Sequence, residues 1–276
     1  MPTIKLGFST CPNDTFMFDA MVHHKVDTAG FTFEVTMADI LHLNRMAMAG
    51  ELDVVKVSYN TFGRIRDQYT LLQSGSALGF GCGPLLISKA PYSREDILKG
   101  DLTVGIPGAY TTANLLLNFF APNLPKKKEM LFHEIMPALA EGTIDAGVII
   151  HENRFTYQQH GLQSIIDLGE YWESQTQLPI PLGGIVAKTS LGKETILQLE
   201  AILRESVQAA FDQPENSMPF VREYAQEMED AIMKAHIDLY VNSFSLNLGE
   251  KGNKAVSRLL EEGNKMGLFP LTTANP

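Results

Sequence analysis

Apolar and polar positions along the chain fall into layouts that occur twice. Residues 4–9 (IKLGFS) and 102–107 (LTVGIP) alternate toward a glycine and stop at a polar or proline-containing loop, as a strand feeding a turn does. Each loop meets a helical stretch. Asn13, Asp14 and Thr15 offer N-cap chemistry ahead of 16–22, and Thr111 and Thr112 open 115–120 after Gly108. A second echo pairs 49–55 (AGELDVV) with 141–147 (EGTIDAG), where Gly50 and Gly142 each stand at an expected helix end. Glycine takes the left-handed C-terminal conformation there without steric cost, and a strand follows both. The first of these strands runs out at Lys56 and Ser58, which share a face by period two, and the second at His151.

A third pair, 83–89 (GPLLISK) and 183–188 (GGIVAK), consists of compact apolar strands after glycines. Read as crossings between two domains, they make residues 1–89 plus 186–276 the first lobe and 90–185 an inserted second lobe, joined by a two-strand hinge. After Lys188 the pattern turns helical. Residues 191–211 carry apolar positions near a 3.6 period, and further helices are expected at 218–227, 230–241 and 250–266. His236 and Tyr240, one turn apart in the third of these segments, are expected to pack at a domain surface.

At 276 residues the chain has room for two domains, and 45% hydrophobic with 20% charged residues describes an ordinary globular protein. A formal net charge of -10 argues against a nucleic-acid partner, which wants a concentrated basic face. The basic run Lys126, Lys127 and Lys128 sits beside Pro125 and reads as a solvated loop. No apolar run approaches the ~20 residues of a membrane span, and no basic and apolar leader precedes Ile4, so no membrane partner and a cytoplasmic location are expected. Cys11 and Cys82 lack metal-like spacing, and no H-x-x-x-H or C-x-x-C pair occurs, so neither a metal nor a cofactor is expected. Nucleophile-elbow and phosphate-loop motifs are missing as well. Gly79, Gly81 and Gly83 read as a tightly turning backbone, while His23, His24, His42, His133 and His160 lack a motif context.

The candidate chemistry gathers where the echoed strands end. His151 follows the apolar run Val148, Ile149 and Ile150, at the carboxyl end where α/β sheets place ligands. With an ordinary pKa near ~6.5 it is suited to general base work, and equally to donating a structural hydrogen bond to a backbone carbonyl. Thr111 and Thr112 stand at a helix start, whose free amides and partial positive charge favour a carboxylate or phosphate; a threonine capping its own helix is the plainer alternative. Lys56 and Ser58 are placed to face them across a cleft. Arg154, Asn13 and Asp14 are candidates for orienting groups or for loop fixtures.

Taken together, 9–15 (STCPNDT), 56–59 (KVSY), 75–84 (GSALGFGCGP), Thr111 with Thr112, 147–157 (GVIIHENRFTY) and 241–246 (VNSFSL) resemble the 1,4-dihydroxy-6-naphthoate synthase family of menaquinone biosynthesis by the futalosine route. The resemblance runs nearly end to end, with Thr10 in place of a proline common in the first motif. It implies an α/β fold of the periplasmic-binding-protein-like type II, two α/β lobes with a two-strand hinge and a cleft between them. It also implies a lyase that turns cyclic dehypoxanthine futalosine into 1,4-dihydroxy-6-naphthoate and dihydroxyacetone. By that resemblance His151 is the proton acceptor, and Lys56, Val57, Ser58, Thr111 and Thr112 contact a small-molecule carboxylate substrate, with no metal or cofactor obligatory. Two other classes share or approach the fold: a non-catalytic small-anion solute-binding protein, and the chorismate dehydratase of the same pathway, which is not expected to carry HExRFTY.

Overall fold

The computed structural model describes residues 2–122, 124–225 and 229–270. Five strands come first: β1 Thr3–Phe8, β2 Thr32–Met37, β3 Val54–Ser58, β4 Tyr69–Leu71 and β5 Ala77–Gly79. The next five, β6 Leu85–Ser88, β7 Val104–Ile106, β8 Lys127–Glu129, β9 Ala146–Ile149 and β10 Gln163–Asp167, build a separate sheet in the order β10-β6-β9-β7-β8. The last strand, β11 Ile180–Lys188, returns to the first sheet, whose order is β2-β1-β3-β11-β4 with β5 also paired to β11.

The two sheets repeat one plan. In the first, β1 pairs in parallel with β2 and β3, and β11 lies antiparallel to β3. In the second, β7 pairs in parallel with β8 and β9, and β6 lies antiparallel to β9. The echoed glycines do what the echo requires. Gly50 (φ 69°) and Gly142 (φ 74°) both take the left-handed conformation that ends a helix and turns the chain into β3 or β9. Because the plan is repeated, the carboxyl ends of β1, β3, β7 and β9 all open toward one cleft, the position where open α/β sheets bind ligands.

The crossings fall earlier than 89 and 186. Residues 85–88 pair with β9 and β10 and belong wholly to the second sheet, while β11 from Ile180 pairs only with strands of the first. The chain therefore crosses through 80–84 and returns through 177–179. An apolar strand after a glycine looks the same whichever sheet receives it, so the sequence pattern placed both boundaries several residues late.

Helices cover the sheets as the 3.6 period requires. Lys193–Asp212 buries Leu199, Ile202, Leu203, Val207 and Ala210 against the first helix, Pro12–Val22, and the core beneath β1. The helix expected at 218–227 is Met218–Tyr224; its last two expected residues lie outside the described ones. Asp230–Tyr240 and Gly249–Lys265 complete the scaffold. One buried apolar cluster runs from Val104, Leu116 and Trp172 of the second lobe through Cys82, Leu78 and Tyr59 to Tyr240 and Leu259. The lobes are thus joined under the cleft by shared core as well as by the two crossings. Among the described residues no helix is long and apolar enough to cross a membrane.

At the first crossing the backbones of Gly83 and Gly169 touch. A Cβ on Gly169 would come within 2.6 Å of the Gly83 Cα, and one on Gly83 would overlap the Gly169 Cα itself. Backbone cannot step aside as a side chain can. Gly83→Ala should therefore cost about 1–3 kcal/mol, the usual penalty of overpacking. In a thermal melt this corresponds to a Tm lower by roughly 2–4 °C per kcal/mol for a chain of about this size. A wild-type Tm in that variant would show that the close approach is not a constraint.

Candidate active site

Strand β1 ends at Phe8, and the chain turns through Ser9 and Cys11 into the helix that begins at Pro12, a residue suited to a first helical position because its missing N–H is not needed there. This turn brings Asp14 to the end of β3. The carboxylate is 1% exposed and accepts four hydrogen bonds. Ser9 donates its amide (3.1 Å) and its hydroxyl (2.7 Å) to Oδ2, while Asn13 Nδ2 (2.8 Å) and Lys56 Nζ (2.5 Å) donate to Oδ1. Lys56 and Ser58 share the cleft side of β3, as period two predicts. Asn44, on the helix Ile40–Met48, donates to Ser58 Oγ (3.0 Å) and accepts from its amide (2.9 Å), and no acceptor among the described residues takes the Ser58 hydroxyl proton.

Across the cleft, Thr111 caps the helix Thr112–Phe120. Its hydroxyl donates to the Gly108 carbonyl (2.7 Å) and accepts from the Asn114 amide (3.2 Å). Thr112 makes a different use of its hydroxyl, donating to the Leu182 carbonyl (2.6 Å) and accepting from the Tyr59 amide (3.0 Å), so that it ties the second lobe to β11 and to the end of β3. Both hydroxyl protons are thus given to backbone carbonyls, and Thr111 caps its own helix as the plainer of the two readings has it. What the helix start still offers is the amides of Thr112 and Ala113, which precede the first intrahelical bond. The tie is reinforced by Asn60 to the Thr111 carbonyl (3.1 Å), Thr61 to the Tyr110 carbonyl (3.0 Å) and Arg45 to Glu129 (2.5 Å).

His151 stands two residues beyond β9 with φ 57°, a left-handed conformation that histidine tolerates better than branched residues do. Such a backbone costs on the order of 1–3 kcal/mol and is held by its surroundings. The ring packs edge-on to Phe132 (5.0 Å), stacks on His236 (6.0 Å, 14°) and places Nδ1 3.6 Å from Cys11 Sγ. Burial, with Glu152 and Asp14 nearby, pushes the Cys11 thiol well up, so it stays protonated. His236 is fully buried, and burial, helped by His151 and Lys56, lowers its pKa well below the ordinary range. Because Asn13 gives its amide N–H to Asp14, its Oδ1 must face His236. The neutral His236 ring accordingly carries its proton on Nε2 and donates it there (2.9 Å).

The two lobes together line one cavity, whose polar wall is Ser9, Asn13, Asp14, Lys56, Ser58, Thr111, Thr112 and His151. Its apolar wall is Ile40, Ala77, Pro84, Ala113, Ile150, Leu182 and Tyr240.

The family model described as menaquinone biosynthesis matches residues 4–265. The chain is 46% identical over 273 residues to the 1,4-dihydroxy-6-naphthoate synthase of Streptomyces coelicolor, covering 97% of this chain and 95% of that one. It is 43% identical over 268 residues to the enzyme of the same name from Thermus thermophilus, covering 97% and 96%. The chain belongs to the 1,4-dihydroxy-6-naphthoate synthase family of menaquinone biosynthesis. Among solved structures, protein AF1704 from Archaeoglobus fulgidus superposes with a TM-score of 0.90 at 33% identity, over 96% of this chain and 98% of that one. The Candida albicans CA3427 gene product, described as having the generic periplasmic-binding-protein fold, gives 0.68 at 10% identity over 100% and 92%, a likeness of fold alone.

Within this synthase-family site, the sequence-based candidates Lys56, Ser58, Thr111, Thr112 and His151 all line the one cavity. Val57 does not. Its side chain points to the other face of β3, into the core with Leu43, Val55 and Val186, so only its backbone is near the cleft. Asp14 and Asn13 are fixtures of the site itself, whereas Arg154 lies outside the cavity, holding the Gly83 carbonyl (2.5 Å) and Asp167 (2.8 Å) beside the crossing. The placement of His236 and Tyr240 at a domain surface is overturned. Both are buried in the site, and their i, i+4 spacing on a helix was the one signal that they act together. Cys11 was weighed only for metal spacing, and nothing in the sequence pairs it with a histidine 140 positions away.

The neutral, buried His236 makes stability depend on pH with a definite sign. In the unfolded chain a histidine binds a proton below about pH 6.5, whereas the folded state resists it. Stability contributed by the neutral ring is therefore intact above that pH and declines below it, by up to about 1.4 kcal/mol per pH unit. His236→Gln keeps an N–H donor for Asn13 and removes the titration. Its urea midpoint should fall less steeply than that of the wild type between about pH 6.5 and 5, and parallel slopes would count against a neutral buried His236.

Proposed function

We propose that the chain is a carbon-carbon lyase converting cyclic dehypoxanthine futalosine to 1,4-dihydroxy-6-naphthoate with release of dihydroxyacetone, and that His151 is its proton acceptor. The observation that carries this reading is the placement of His151: a strand-end histidine held in a left-handed turn, in the same cavity as Lys56, Ser58 and a free helix start. The names of the two bacterial relatives support the product, and the family model supports menaquinone biosynthesis.

The chemistry follows from the groups present. The aromatic carboxylate of the substrate is suited to the Thr112 and Ala113 amides and the Ser58 hydroxyl, where a helix start favours negative charge. The ring system then lies along the apolar wall. For His151 to accept a proton, one ring nitrogen must be bare; a proton on Nδ1, given to the Cys11 sulfur, leaves Nε2 as the base. Removal of a carbon-bound proton moves charge onto a neighbouring oxygen and opens the spiro ring, and aromatisation of the product drives the fragmentation forward. The shared core and the Thr112 bonds to Tyr59 and Leu182 hold the lobes close around the site, which keeps water from the intermediate.

Purified protein should turn cyclic dehypoxanthine futalosine into the naphthoate, followed by product formation. His151→Ala should lose ~10² to 10⁴-fold in kcat, the usual worth of a general base, with substrate still bound in a titration. Full turnover by that variant would remove His151 from the mechanism. Tight binding by the wild type with no product at all would instead favour a solute-binding role.

A further inference from the structure

We propose that Tyr240 is a further catalytic residue, the hydrogen-bond donor to the substrate oxygen on which negative charge gathers as the proton is removed. The inference rests on the reaction assigned above and concerns a side chain that the reading has not used. Tyr240 closes the helix Asp230–Tyr240 and is 6% exposed. Its ring sits 4.7 Å from that of His236, and it lines the cavity together with His151.

The buried tyrosines of this protein make the contrast. Tyr59 shares a hydrogen bond with Ser76 (2.7 Å), and Tyr69 donates to the Leu52 carbonyl (2.7 Å). Buried phenols are ordinarily satisfied in this way. The Tyr240 hydroxyl has no hydrogen-bond partner among the described residues; Ser245 reaches only the Tyr240 backbone carbonyl (3.4 Å), and Arg154 is held by Asp167 and the Gly83 carbonyl. A phenol so buried, unpartnered and turned to a cavity is completed by what the cavity binds.

The chemistry selects a donor. Burial, with Cys82 and Glu152 close by, pushes the Tyr240 phenol far up, so it keeps its proton and does not serve as a second base. Carbon acids become reactive only as charge passes to an adjacent oxygen, and a fixed donor in a dry site stabilises that charge without reorganising. Lys56 is committed to Asp14 and the helix amides to the carboxylate end, so neither serves that oxygen. Tyr240 stands on the His151 side, held by a ring contact to the histidine that His151 stacks upon.

Tyr240→Phe removes one oxygen and keeps the ring packed on His236. Steady-state kinetics with cyclic dehypoxanthine futalosine should show kcat lower by ~10² to 10³-fold, the usual loss for one such donor, with KM and Tm near wild-type values. A merely structural role would leave kcat in place, because the packing ring remains. Unchanged kcat, or a loss confined to KM, overturns the proposal. As a second arm that does not depend on the folding of Tyr240→Phe, 3,5-difluorotyrosine at position 240 keeps the hydroxyl and makes it a stronger donor. It should change kcat while KM holds, and an unaltered kcat overturns the proposal as well. The wild type is measured alongside: if it makes no product, the assigned reaction itself is wrong, whereas turnover by the wild type and equally by Tyr240→Phe sinks only the role of Tyr240.

Discussion

The site depends on one buried carboxylate. Asp14 is the point where the turn after β1, the cleft face of β3 and, through Asn13, the helix carrying His236 are fastened together. A charge so deeply buried is tolerable only because every donor around it is supplied by a group already fixed by the fold. Replacing a partner would not only weaken an ion pair. It would free Lys56 from its place and leave Asn13 without the bond that points its oxygen at His236, so the tautomer of that buried ring follows from a carboxylate in the first turn of the first helix.

The second constraint is the repetition of one topology in two sheets. Two βαβ arrays with their carboxyl ends facing each other give a cleft for which each lobe supplies half a site: Asp14, Lys56 and Ser58 from one, the helix start at Thr112 and His151 from the other. Thr112 then works as the fastening between halves, since its hydroxyl bonds two backbone groups of the opposite lobe. A side chain that reads in the sequence as a ligand contact thereby spends its hydroxyl on holding the two halves together.

Much of this was legible in the sequence because it is local. Gly50 and Gly142 announce helix ends by a conformation only glycine adopts cheaply, and the alternation through Val54, Lys56 and Ser58 fixes which side chains face the cleft. The same alternation excludes the side chain of Val57. The crossings were misplaced because an apolar strand does not encode which sheet receives it. His236, Tyr240 and Cys11 were missed for a different reason. His236 meets Asn13 across 223 positions, and no local pattern distinguishes a helix face that packs on scaffold from one that packs on a site.

The stacking of His151 on His236 is where these constraints act on chemistry. Two imidazolium charges about 6 Å apart repel by roughly 3 kcal/mol at an effective dielectric of 20. The pair therefore holds one added proton far more readily than two. Burial keeps the His236 ring neutral, and the acceptor that Asn13 presents places its one proton on Nε2. In this arrangement burial keeps charge off the histidine inside the scaffold, and the orientation of one asparagine beside Asp14 fixes which of its nitrogens carries the proton.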